Sequence, residues 1–220
     1  MRFVPLSPQR LVGDLADRVQ QRAADRGAGL VVGFDGPAEC GIAALADDVA
    51  EQLRGRGLPV VRASTSWWWR PAALRLEFGR EDVEMLLTGW VDADALRREL
   101  VDPVTAGEGS IITRLRDPVA DRSVREQPAD VPARALLLVD GPFLLATELP
   151  LDLLVGFRLG RGTLVRALPP QHQWWTRAFE TYDDRYQPIE SADVLLAYDH
   201  PSAPAAAGLT EHRSVRSGKR

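Results

Sequence analysis

Residues 30–45, LVVGFDGPAECGIAAL, carry the spacing with the plainest chemical meaning. An apolar run passes into a glycine-bearing loop and then into a helical alternation, the strand, loop and helix order of a phosphate-binding P-loop. The full motif has a glycine, four free positions, a second glycine, a lysine and a Ser or Thr. Gly36 and Gly41 stand at that distance, but Ile42 takes the lysine position and Ala43 the hydroxyl position. Backbone N–H groups at such a loop still suit an anion, since they need glycine permissiveness and a helix N-terminus rather than a side chain. The lysine charge for the β- and γ-phosphates and the hydroxyl for Mg²⁺ are missing. Glu39, inside the loop, adds a carboxylate that repels phosphate. Of 27 Lys and Arg residues only Lys219 is a lysine, so any substitute for the missing charge must be an arginine. The same spacing also reads as a plain strand-to-helix turn.

Asp140 is the second candidate. It closes an apolar run at 135–140, ALLLVD. Uninterrupted apolar strands belong in the buried middle of a parallel sheet. An acid at the C-terminal end of such a strand lies where open α/β sheets bind ligands. Asp140 is thus placed to hold Mg²⁺ or water, or simply to cap the following turn. The third candidate is the run Trp67, Trp68 and Trp69. Three consecutive tryptophans cannot all face one core, so at least one is expected exposed or in a pocket wall, where an aromatic plane stacks on a nucleobase or sugar. A packed loop is the alternative. Asp35, Asp140 and at least one of these tryptophans are expected to line a crevice at the strand ends.

Short apolar or β-branched runs near 30–34, 59–63, 135–139, 153–157 and 193–197 predict strands, alternating with helical patterns. Residues 11–24 have helical spacing, with Ser7 and Pro8 as cap and first turn. A P-loop helix follows over 41–54, and another amphipathic helix over 92–100 is closed by Asp102-Pro103. A short hairpin is expected around 110–115. These elements predict an α/β, three-layer P-loop NTPase-type fold, with a mainly parallel five-stranded sheet flanked by helices. Residues 1–200 read as one domain, and the Pro/Ala-rich, then basic 201–220 as a disordered tail.

Length and charge set the outer bounds. The 220 residues suffice for a full core. A net charge of −4 argues against non-specific nucleic-acid or membrane-surface binding. No apolar run reaches the ~20 residues of a membrane span, and the start lacks the apolar core of a signal peptide. One cysteine, Cys40, leaves no internal disulfide and argues against a cysteine-built metal site. The expectation is a cytoplasmic protein.

In the order of its pieces the chain resembles the uridine kinase-like branch of P-loop nucleoside kinases, a family with bacterial members, over about 30–201. The pieces are GFDGPAECG, a degenerate Walker A motif, RASTSWWWRPAALRLEFGRED, DADALRRELVDPV, GSIITRLRDPVADR, ALLLVDGPFLL and ADVLLAYDHP. The resemblance implies ATP and Mg²⁺ on the P-loop and phosphoryl transfer to the 5′-hydroxyl of a pyrimidine nucleoside. It also implies an aspartate base after the second strand, closely followed by aromatics. With WWRP as anchor, the base position falls on Ser66 and the aromatics on Trp68 and Trp69, with Trp67 beside them. Arg75, Asp117 and Asp140 fall on positions with matching or similar residues, and Arg166 and Arg177 in the lid, where family arginines meet the phosphates. A serine hydroxyl does not take a proton near neutral pH as a carboxylate does.

Phosphoryl transfer rests on positioning and charge stabilisation. Loss of the lysine, the metal hydroxyl and the base should each cost on the order of 10²–10⁴ in rate. The leading expectation is a uridine kinase-like protein with weak or no phosphoryl transfer that still binds a nucleoside or nucleotide. ATP and Mg²⁺, implied by the resemblance, are placed in doubt by Ile42 and Ala43. A second expectation is an active kinase with Arg62, Arg70 or a lid arginine replacing the lysine and Asp140 or Asp117 serving as metal ligand or base. A third is a non-catalytic regulatory or dimerisation partner, joined through exposed tryptophans. Homo-oligomerisation is compatible with any of the three.

Overall fold

A computed structural model describes residues 2–209. The strands are β1 (Val4–Pro5), β2 (Leu30–Asp35), β3 (Val60–Ser64), β4 (Ser110–Ile111), β5 (Arg116–Asp117), β6 (Arg122–Ser123), β7 (Ala129–Asp130), β8 (Leu136–Gly141), β9 (Leu153–Arg158), β10 (Val194–Ala197) and β11 (Ala205–Ala207). The main sheet runs β1-β11-β10-β9-β2-β8-β3. Five consecutive members, β10, β9, β2, β8 and the edge strand β3, are mutually parallel. These are the five predicted strands. Two short antiparallel strands, β11 and β1, extend the edge beyond β10 and bring the sheet to seven.

Alternate side chains of the inner strands bury in opposite directions, as the strand period requires. Leu30, Val32, Phe34, Leu136 and Leu138 pack under the first helical layer, made by α1 (Pro8–Arg26) and α2 (Ile42–Gly55). Val31, Val61, Ala63, Leu137 and Val139 face the opposite way, against Leu96, Leu100, Val101 and Val104. The centre of β2 and β8 is buried on both faces, which is why these stretches read as continuous apolar runs. Ser7 caps α1 by accepting from the Arg10 N–H, with Pro8 at the first turn, as the sequence predicts.

Three expectations need correction. The helix opening at Asp92 does not stop at Asp102-Pro103. After α3 (Ala72–Arg75), α4 (Ala93–Leu96) leads through a π-helical turn at Arg97–Val101 into α5 (Asp102–Ala106). Pro103 cannot donate to the carbonyl four residues back. That carbonyl, on Glu99, accepts instead from the Ile112 N–H at 3.4 Å. The hairpin near 110–115 is displaced: β5 pairs with β6, while β4 pairs with the later β7. The expected tail begins too early, because 205–207 form β11, with Ala206 and Ala207 buried. Three alanines carry little strand signal, and pairing with β10 and β1 makes the strand. The remainder of the expected tail, 210–220, lies outside the described residues.

Beyond β9 the chain forms α6 (Arg161–Ala167), α7 (Trp175–Tyr186) and α8 (Pro188–Ser191), the arm that packs over the C-terminal end of the sheet. No described helix is long and apolar enough to cross a membrane.

Candidate functional site

The loop between β2 and α2 has the spacing of an anion cradle but is closed on itself. The Gly36 N–H donates to the Gly141 carbonyl at 3.2 Å, Cys40 N–H to Pro37 at 3.0 Å, and Gly41 N–H to Ala38 at 3.2 Å. Pro37 has no N–H, so only Ala38 and Glu39 keep loop amides outside these bonds. Each glycine has a reason unrelated to phosphate. A Cβ on Gly36 would lie 2.9 Å from the Phe157 Cβ, so the close approach of β9 requires a glycine there. Gly41 has φ +82°, a left-handed conformation that glycine adopts without strain. Ile42 is fully buried at the start of α2, where a lysine would have to reach into the loop. Ala43 offers no hydroxyl.

The crevice outside the loop, about 300 Å³, is lined by Glu39, Cys40, Gly41, Thr163, Tyr198 and Asp199 among others. Its charge is negative. Burial, then the Glu39 and Asp199 carboxylates, push the Cys40 thiol up to about 11. Glu39 Oε1 lies 3.4 Å from His172 Nδ1, which brings the arm down onto the loop. The same His172 ring stacks on Trp175 at 4.4 Å between centres.

Asp140 stands at the C-terminal end of β8, in register with Ser64 and Phe34 on either side. Its carboxylate is not free. Arg62, two residues before Ser64 and on the same face, places Nη2 2.6 Å from Asp140 Oδ1. Arg62 also donates to the Leu138 carbonyl at 2.7 Å and the Ala63 carbonyl at 3.0 Å, and pairs with Asp47 of α2 at 2.8 Å. Burial raises the Asp140 pKa, against the opposing pull of Arg62 and a hydrogen bond from Ser64. Ser66 Oγ lies 3.0 Å from Ser64 Oγ, so the base position is joined to Asp140 through a second hydroxyl.

The tryptophans take three different places. Trp68 is fully buried in the core, with Nε1 lacking a protein partner. Trp67 is half-buried, with the Arg114 guanidinium 5.5 Å from its ring. Trp69 joins an aromatic cluster with Trp90 at 5.2 Å and Trp175 at 6.5 Å. Trp69 also lines a cavity of about 10 Å³, together with Thr65, Trp90, Phe143 and Trp175. Thr65 Oγ1 and Trp175 Nε1, both buried, have no protein partner there. One water needs ~10–15 Å³ and two or more polar partners, so this cavity suits a water and not a base. Trp67, Trp69 and Trp174 are partly exposed, and Trp68, Trp90 and Trp175 are buried.

The other candidates are structural in their surroundings. Arg75 is buried against the rings of both Trp69, at 4.9 Å, and Trp90, at 4.7 Å, with Nη2 3.3 Å from Asp121. Asp117 caps the tip between β5 and β6, accepting from Val119 N–H and Ala120 N–H, and those bonds lower its pKa. Arg166 and Arg177 are exposed on α6 and α7, the first donating to Thr163 Oγ1 at 3.2 Å, the second 3.5 Å from Glu81. The structure thus joins Ser66 to Asp140, and sets Arg75, Asp117, Arg166 and Arg177 elsewhere.

Sequence reasoning placed Asp35 at a crevice but missed its buried partner, Tyr182. Asp35, at the C-terminal end of β2, accepts from the Tyr182 hydroxyl of α7 and from the Leu144 N–H at 3.2 Å. The Tyr182 oxygen in turn accepts from the Leu145 N–H at 2.9 Å. Burial, only partly offset by these bonds, raises Asp35 to about 6. The expected single crevice is split. Asp35 lines one on the β9 side, Trp69 lines the small aromatic cavity, and Asp140 lines neither.

These residues do not fit Mg²⁺·ATP. The lysine and hydroxyl are replaced, three loop amides are already bonded, and the strand-end acid is held by an arginine. Among the described residues no group of three or more His, Cys, Asp or Glu is arranged for a metal ion.

No protein-family model and no curated protein matches the chain. Solved structures do. A possible uridine kinase from Bacillus stearothermophilus superposes with a TM-score of 0.61 at 20% identity, covering 83% of this chain and 98% of that one. A candidate fructose transport system kinase from Silicibacter sp. TM1040 gives 0.59 at 18% identity, covering 82% and 94%. With its parallel sheet, helical layers and strand–loop–helix unit, the chain has the P-loop kinase-like fold of these proteins.

Proposed function

We propose that this chain is a uridine kinase-like protein in which phosphoryl transfer is lost or greatly weakened, and which holds a small molecule without acting on it as an ATP-dependent kinase. The observation that carries this reading is the Arg62–Asp140 pair. A strand-end acid in this fold serves a metal only if its charge is available, and here a guanidinium neutralises it in a buried setting. The same pair bears on the reading in which Arg62 replaces the lysine. Its donors face Asp140, Asp47, Leu138 and Ala63, so the charge is already committed away from the loop. Ser66 adds to the case, because a hydroxyl paired with another hydroxyl lacks the basicity to deprotonate a nucleoside.

Calorimetric titration with Mg²⁺·ATP and with uridine, separately and together, tests the proposal. The reading expects no saturable heat from Mg²⁺·ATP at concentrations up to the ~1 mM upper range of ordinary KM values. Tight binding of Mg²⁺·ATP would turn the reading over in favour of relocated machinery.

A further inference from the structure

The crevice on the β9 side of the loop is lined by Asp35, Phe157, Phe179, Tyr182 and Asp183, with Arg158 at its mouth. Its volume is about 80 Å³, several times the ~10–15 Å³ that seats one water. Two features set its chemistry. Phe157, Phe179 and Tyr182 supply aromatic surface, whose rings are electron-rich on the face. Two acidic residues line the same space, Asp35 buried and hydrogen-bonded to Tyr182, Asp183 exposed.

Among the described residues that line the crevice, the one cation is Arg158. The Arg158 guanidinium carbon lies 5.9 Å from the centre of the Phe3 ring, at the outer edge of the sheet. Partial burial raises the Asp183 pKa, and its acidic neighbours Asp184 and Glu190 raise it further. An anion is repelled there. An organic cation gains both from the aromatic faces and from the carboxylates. The outer crevice by Glu39 and Asp199 is also acidic, but Tyr198 is its only aromatic side chain.

We propose that the crevice between β9 and α7 is a binding site for a small organic ammonium ion, held by Phe157, Phe179 and Tyr182 with Asp35 and Asp183 as counter-charges. The site does not depend on whether the P-loop binds ATP, so phosphoryl-transfer activity would contradict the proposed function and leave this site standing.

The test is calorimetric titration of the full chain with choline and with putrescine. Inorganic pyrophosphate and the neutral carbon isostere of choline, with a tert-butyl group for the trimethylammonium, serve as controls. Saturable binding of either amine is expected, with neither control binding as tightly. Phe179→Leu keeps the apolar packing and Asp183→Asn lies at the exposed mouth. Each should weaken the amine about tenfold, with the melting curve showing that the variant is folded. Absence of amine binding, equal binding of the neutral isostere, or unchanged affinity in both variants would overturn the assignment. Weakening in either variant supports it.

Discussion

Arg62 Nη2 lies 2.6 Å from Asp140 Oδ1, and both side chains are withdrawn from water. The pair spans neighbouring parallel strands, on the face that carries α2. It converts the acid best placed to serve a metal into half of a closed ion pair, and Ser64 and the Leu138 and Ala63 carbonyls satisfy most of what remains.

Removing one partner of a buried pair leaves the other charge uncompensated. Arg62→Ala should therefore destabilise the fold by about 3–5 kcal/mol. Asp140→Asn should cost less, and the double variant less than the sum of the two. Urea unfolding midpoints check this as a double-mutant cycle; strict additivity would mean the pair is not coupled.

Asp35 predicts a pH dependence of unusual sign. Its folded-state pKa is raised to about 6 from an ordinary 3.8, so the fold binds this proton more tightly than the unfolded chain does. Stability should rise as pH falls through about 6, saturating below the unfolded value, by on the order of 1 kcal/mol between neutral pH and pH ~5. At lower pH, protonation of Asp117, Asp121 and Asp199, whose pKa values are lowered, should reverse the trend. Denaturant midpoints across this range should show a shallower slope in Asp35→Asn than in the parent, the remainder coming from other raised carboxyls such as Asp140 and Asp183.

Tyr182→Phe removes the hydroxyl that donates to Asp35 and accepts from the Leu145 N–H. Two buried polar groups then lose a partner, at a cost of roughly 1–3 kcal/mol. The Asp35 pKa should move further up, since the bond that lowers it is gone. A carboxyl NMR titration of the variant reads this directly, and an unchanged Asp35 would show that Tyr182 contributes nothing to its charge state.

The two loop glycines should respond differently. Gly36→Ala meets the Phe157 Cβ at 2.9 Å and its ring atoms at 3.1 and 3.2 Å; Phe157→Ala keeps the Cβ contact and removes only the ring contacts, so it should recover only part of the lost stability. Gly41→Ala meets no neighbour within 4 Å and should lose only the ~1–2 kcal/mol of a left-handed non-glycine residue, with no rescue from Phe157→Ala. Thermal melts of the four variants separate packing from backbone strain.

The parallel core was legible because burial on both faces leaves a local mark, an unbroken apolar run such as 135–139. The edge was not, since three alanines become β11 only through pairing with β10 and β1. That Ile42 and Ala43 stand at the lysine and hydroxyl positions of the glycine-bearing loop motif could be read from the sequence, and Ser66 at the base position from the resemblance. The side-chain pairs near them could not. Arg62 and Asp140 are far apart in sequence, as are Asp35 and Tyr182, and nothing local pairs them. The tryptophan run announced an aromatic wall, but the partners that close it, Trp90 and Trp175, come from later elements and leave room for little more than a water. Arg75 has the side chain of a phosphate ligand, yet two rings and Asp121 hold it in a structural position.

The central claim is that the catalytic parts of this kinase-like fold are dismantled. A coupled assay of the purified protein with Mg²⁺·ATP and uridine or cytidine measures it most directly. The account predicts a rate indistinguishable from the protein-free background. Turnover at an ordinary enzyme rate of ~1 s⁻¹ or more would contradict it.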